Sequence, residues 1–125
     1  MEKRVYNSEL LTKGGPYSHV VEAGGFLYVS GMVPVDRAKG VSITDDIREA
    51  TRIVLENIRT ALQAAGSDLD RIVKVTVFLR DMADFKALNE VYQTFFPVNP
   101  PARSCVAVRE LPGNFPVEIE AVAIR

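Results

Sequence analysis

The 125 residues include one cysteine, one histidine and no tryptophan. A lone Cys105 excludes an intramolecular disulfide, and one Cys with one His argues against a zinc site built from those ligands. Neither sign of charge is in excess: 15 Lys and Arg stand against 16 Asp and Glu, a formal net charge of −1. Nucleic-acid-binding domains usually carry a clear basic surplus, so RNA or DNA is not the expected partner. No apolar run approaches the roughly 20 residues of a membrane-spanning helix. The opening Met1-Glu2-Lys3-Arg4-Val5-Tyr6 lacks the apolar stretch of a secretory signal, so a cytoplasmic location is expected. Repeats and low-complexity tracts are missing. So is a phosphate-binding loop, since Gly14-Gly15 leads into Pro16-Tyr17 and not into a helix. A single His19 cannot supply a Ser/His/Asp triad, and we read it as a structural residue of a hairpin strand.

What remains is an ordinary globular composition, 47% hydrophobic and 25% charged, expected to form one domain over 1–125. A short strand is expected at Lys3–Tyr6. Alternation over residues 17–30 predicts a hairpin that turns at Ala23-Gly24-Gly25. Pro34 and the stretch Asp36–Gly40 mark a loop. Thr44-Asp45-Asp46 opens a first helix, with Thr44 as the expected N-cap. Its apolar stripe is Ile47, Ala50, Val54, Ile58, Ala61, Leu62 and Ala65, and Gly66 ends it. The β-branched run Ile72–Leu79 reads as a central strand. A second helix over Met82–Phe96 buries Met82, Phe85, Leu88, Tyr92 and Phe95, and Pro97 stops it. Strands follow at Ser104–Val108 and Val117–Ile124, separated by a turn at Leu111–Asn114.

The order β-β-β-α-β-α-β-β describes an α+β domain with two helices on one face of a mixed sheet. The second face is then open, and oligomerisation is one way to cover it. Arg103 stands where a proline-rich loop enters a strand, and its guanidinium fork suits a carboxylate held by two bonds. Glu118 and Glu120 share one face of the last strand. Two readings stay open: Arg103 pairs with one of these glutamates on the surface, or it awaits a ligand carboxylate. Glu120 by itself reads as a solvent-facing strand carboxylate.

The segments Pro101-Ala102-Arg103-Ser104-Cys105-Val106, Leu111-Pro112 and Val117–Ala123 together resemble the RidA (YjgF-type) family of reactive intermediate/imine deaminases. Gly15-Pro16-Tyr17-Ser18, Val29-Ser30-Gly31, Glu56-Asn57-Ile58, Val73–Leu79 and Asn89–Tyr92 extend the likeness over nearly the whole chain. The resemblance implies a chorismate-mutase-like fold, assembled as a homotrimer with ligand clefts between subunits. It implies cofactor-free, metal-free hydrolysis of 2-enamine and 2-imine acids, such as 2-aminoacrylate and 2-aminocrotonate, to 2-keto acids and ammonia. The suppliers would be pyridoxal-phosphate (PLP)-dependent dehydratases. By the same likeness, Arg103 grips the substrate carboxylate and Glu118 positions or activates the water. Tyr17, Ser30 and Gly31 line the cleft, and the backbone of Cys105 contacts the ligand.

Two departures from the family pattern bear on specificity. Met32 replaces a glutamine often found after Ser-Gly, and the Phe96–Pro101 connection is short. They favour, as an alternative, a deaminase of a larger, aminomuconate-like substrate. A non-catalytic 2-keto-acid-binding regulator is a further alternative. An endoribonuclease or translation inhibitor, a description also attached to the family, is disfavoured by the charge balance and by the absence of an aromatic–basic stripe.

Overall fold

The computed structural model describes residues 1–125. Two helices pack on one face of a six-stranded mixed sheet, as expected. The sheet comprises β1 (Arg4–Tyr6), β2 (Val20–Ala23), β3 (Phe26–Met32), β6 (Ile72–Leu79), β7 (Ala102–Ala107) and β8 (Val117–Ile124), in the spatial order β1-β2-β3-β8-β6-β7. All its pairings are antiparallel except β6 with β7, which α2 (Phe85–Phe95) connects as a crossover. The stretch expected to be a plain loop holds a small hairpin of its own, β4 (Val35–Asp36) with β5 (Val41–Ser42). Asn57 of α1 (Ile47–Ala64) ties this hairpin to the helix by donating its amide hydrogens to the carbonyls of Val33 and Val35.

Alternation in β8 sorts its side chains cleanly. Val117, Ile119, Ala121 and Ala123 are buried against the helices, while Glu118, Glu120, Val122 and Ile124 face the other way. α1 buries Thr51, Ile53 and Leu55 in addition to the expected stripe. A single stripe was too narrow an expectation because α1 packs on both the sheet and α2. Asp46, not Thr44, caps α1: its carboxylate accepts from the Glu49 amide. The Thr44 carbonyl is held instead by the Arg80 guanidinium, which keeps that residue outside the helix. Gly66, at φ +77°, ends α1, and the Ser67 amide reaches back to the Leu62 carbonyl.

Three further expectations are corrected. β2 begins at Val20, and β7 begins at Ala102, so Arg103 lies inside a strand and not before it. The Met82–Asp84 segment is a 3-10 turn ahead of α2, with Met82 44% exposed, so that residue is no part of the core. His19 sits just before β2 and is buried. Its Nδ1 accepts from the Ser8 amide, so Nε2 carries the proton and donates to the Thr12 carbonyl. The ring thereby pins the 8–12 segment to the sheet, a structural role.

The face of the sheet away from the helices is uncovered in a single chain. It presents Phe26, Tyr28, Val106 and Ile124, each well exposed. Lys74, Thr76, Glu118 and Glu120 share this face, so it is mixed in character and not a plain apolar patch.

Candidate functional site

A cleft of about 580 Å³ opens beside β3 and β8. Tyr17, Ser30, Gly31 and Glu118 line it, together with Thr12 and Lys13 from the pinned N-terminal segment. Lys13 is the only cationic side chain of its lining. Val33, Val35 and the turn residues Pro112, Gly113 and Phe115 complete the walls. The structure therefore gathers four of the six residues singled out from the sequence.

Local geometry explains how. The register between β3 and β8 shifts between Val29 and Met32, a bulge that presents Ser30 and Gly31 together at the cleft. Ser30 donates its hydroxyl to the Ser18 carbonyl and its amide to the His19 carbonyl, which locks the bulge onto the preceding loop. The Glu118 side chain lies directly over Gly31. A Cβ on residue 31 would sit 2.2 Å from Glu118 Oε2 and 2.9 Å from its Cδ, so only glycine leaves the carboxylate this place. Burial raises the Glu118 carboxyl above its ordinary range, and the neighbouring Glu120 charge adds to the shift. The Tyr17 hydroxyl accepts from the Gly14 amide at 3.1 Å, which folds the phenol back along the rim. Met32, tied to specificity by its departure from the family pattern, does not line the cleft: it is buried in the core.

Arg103 and Cys105 are elsewhere. Arg103 is paired in register with Val75 and Cys105 with Val77, both buried residues of the helix-covered face. Glu118 and Glu120 are opposite Phe78 and Thr76 on the other face. Within one chain, Arg103 lies two strands from Glu118 and three residues along, roughly 10 Å in each direction, on the opposite side of the sheet. The salt bridge held open as the surface reading is therefore not formed. No carboxylate of the chain reaches Arg103.

Aromatic faces hold Arg103 instead. Its guanidinium carbon lies 4.7 Å from the centroid of the Tyr92 ring and 5.6 Å from that of Phe85. Both rings come from α2, two helical turns apart and so on one face. The sequence puts both on the expected buried stripe; Tyr92 is buried there, whereas Phe85 is 37% exposed, its ring turned to the guanidinium and not enclosed in the core. The Tyr92 hydroxyl is enclosed without a hydrogen-bond partner, and burial pushes its pKa up to about 12 against the opposing pull of Arg103. Burial likewise raises the Cys105 thiol, with Arg103 again opposing. That thiol packs against the core and is not a poised nucleophile. The guanidinium is thus fixed by rings that take none of its hydrogen bonds, and its donors are left for an incoming anion.

Comparison with known proteins follows the same lines. The model of the family described as Endoribonuclease L-PSP matches residues 8–125. A RutC family protein of Pyrococcus horikoshii is 47% identical over 111 residues, 89% of this chain and 88% of that one. The 2-iminobutanoate/2-iminopropanoate deaminase of Salmonella typhimurium is 38% identical over 128 residues, 100% of this chain and 99% of that one. The crystal structure of E. coli TdcF with bound serine superposes with a TM-score of 0.91 at 36% identity, covering 98% of each chain. With its motifs, its sheet order and these matches in agreement, the chain belongs to the Endoribonuclease L-PSP family, the RidA/YjgF family of the resemblance drawn above.

Proposed function

We propose that the protein hydrolyses reactive 2-imino and 2-enamine acids to 2-keto acids and ammonia, in clefts completed by a second copy of the chain. The observation that carries this reading is the separation of Arg103 from Glu118. An unpaired, ring-stacked guanidinium and a desolvated carboxylate are the two groups the chemistry needs, and one chain holds them apart. A homotrimer in which the β7 edge of one subunit meets the open sheet face of the next would bring Arg103 of one subunit to the Glu118 cleft of its neighbour. Closed cyclic assembly lets one such contact repeat without leaving an unfilled site.

In that cleft Arg103 binds the substrate carboxylate through two parallel bonds and so orients C2. Glu118 takes a proton from water as the oxygen bonds to C2 of the imine, and that proton passes to nitrogen to give a carbinolamine. The carbinolamine hydroxyl then gives its own proton to nitrogen through Glu118 as the C2–N bond breaks and the C2–O bond becomes the carbonyl, so ammonia and the 2-keto acid leave and the carboxylate is restored. A carboxyl raised above its usual range is better matched to such proton exchange near neutral pH. The imine carbon is already electrophilic, so orientation and one placed water suffice and no cofactor is invoked. Dehydratases that eliminate water from serine or threonine would supply the substrates. The serine bound to the E. coli relative is in keeping with a small amino- or imino-acid ligand. The charge balance and the single cation of the cleft lining weigh against RNA as substrate.

The test is a coupled assay in which threonine dehydratase generates 2-aminocrotonate and 2-ketobutyrate release is followed. Wild type should accelerate release and Arg103→Ala should not. No acceleration by wild type, with 2-ketobutyrate still bound, would replace the enzyme by a 2-keto-acid-binding regulator.

A further inference from the structure

The turn before β8 is more rigidly built than a connection requires. Gly113 and Asn114 both have positive φ, +67° and +53°. Arg80 clamps the turn by donating its amide to the Pro116 carbonyl and its guanidinium to the carbonyls of Asn114 and Thr44. The Phe115 ring lies over Gly113 so closely that a Cβ there would meet it at 2.6 Å. The ring is held in the cleft wall in company with Val33 and Val35. This wall belongs to the cavity that holds Glu118, and no polar group of a three-carbon acid would use it.

We propose that Phe115 is a specificity-determining residue, and that it makes the preferred ligands 2-imino and 2-keto acids with branched or aromatic apolar side chains. The inference rests on the deaminase reading for the orientation of the ligand, with its carboxylate at Arg103 and C2 near Glu118. The substituent on C2 is then directed along the remaining wall, where Phe115, Val33 and Val35 desolvate it. A methyl group reaches little of that surface, whereas an isobutyl or benzyl group covers it. Specificity therefore moves from Met32, which is buried in the core, to the turn.

Calorimetric titration of the full-length protein with pyruvate, 4-methyl-2-oxopentanoate and phenylpyruvate tests this without requiring turnover. Wild type should bind the two larger acids about tenfold or more tightly than pyruvate, the scale set by added methylenes in an apolar pocket. Phe115→Ala should shrink that preference to within about threefold, and Phe115→Leu should keep most of it. Equal binding of pyruvate by wild type, or a preference that survives Phe115→Ala, overturns the proposal. The expected preference in wild type and its loss in Phe115→Ala, with no hydrolysis of any imine, would sink the deaminase reading and leave this inference standing. Failure of all three acids to bind overturns this inference, and the coupled assay then decides the deaminase reading by itself.

Discussion

The Glu118 cleft and the Arg103 ledge place one charged group each, by opposite means. In the cleft the backbone does the placing: a bulge, a glycine and a clamped turn leave a carboxylate-shaped space, and the carboxyl responds with a raised pKa. On the ledge side chains do it. Tyr92 and Phe85 orient the guanidinium by their faces and consume none of its donors. A carboxylate that exchanges protons benefits from desolvation. A cation that must bind an anion benefits from being held without being neutralised.

The largest expected effect comes from removing either group. Arg103→Ala and Glu118→Gln should each lower kcat/KM by about a hundredfold or more, the scale of losing charge-assisted bonds to a bound ion. Co-refolding the two inactive variants should restore part of the activity, because a mixed assembly contains clefts with both groups intact. No recovery in verified mixed oligomers would place the two groups' action within one chain, against the geometry above.

Gly31→Ala follows, at roughly tenfold or more in kcat. The added methyl displaces Glu118 without leaving a cavity, so thermal stability should change much less than rate. A rate loss that merely tracked unfolding would show that the glycine serves the fold alone. Tyr92→Leu should raise KM several-fold with kcat less affected, since the ring face is worth on the order of 1 kcal/mol to a cation. Tyr92→Phe keeps the face and removes the enclosed hydroxyl. It should leave KM unchanged and stability equal or higher, measured by denaturant melts.

The smallest effects concern pH. Because Glu118 titrates above its ordinary value partly through Glu120, Glu120→Gln should move the acid limb of the rate profile to lower pH. The same shift carries a sign for stability. A carboxyl raised in the folded state stabilises the fold while protonated. That contribution is complete below the unfolded value near 4.5 and disappears as pH rises through the folded value. Glu118→Gln should therefore melt higher than wild type at neutral pH and show no advantage near pH 4.

Much of this was legible in the residues. The period of two in β8 and the steps of three and four in α1 report directly on which face is buried, so the layers and their order could be read. Tyr17, Ser30, Gly31 and Glu118 could be gathered by resemblance. The division of Arg103 from Glu118 could not, because it depends on β7 pairing with β6 and not with β8, a tertiary choice that leaves no local period. The cap is harder to read, since Thr44, Asp45 and Asp46 are all competent caps and only the structure shows the Asp46 carboxylate on the Glu49 amide. Phe115 carries no motif, and only the geometry of its turn shows that it faces a cavity.

The position of β8 has a consequence for how the molecule comes into being. This strand lies between β3 and β6, so two halves of the sheet have no shared edge until Val117–Ile124 has threaded between them. Closing a loop of that length is entropically costly before any pairing is gained, and topologies of this kind fold slowly. The cleft, whose walls come from residues 12–17, 30–35 and 112–118, is incomplete until that strand is in place. A chain caught before that step would display two incomplete sheets with open edges, the state most exposed to aggregation during synthesis.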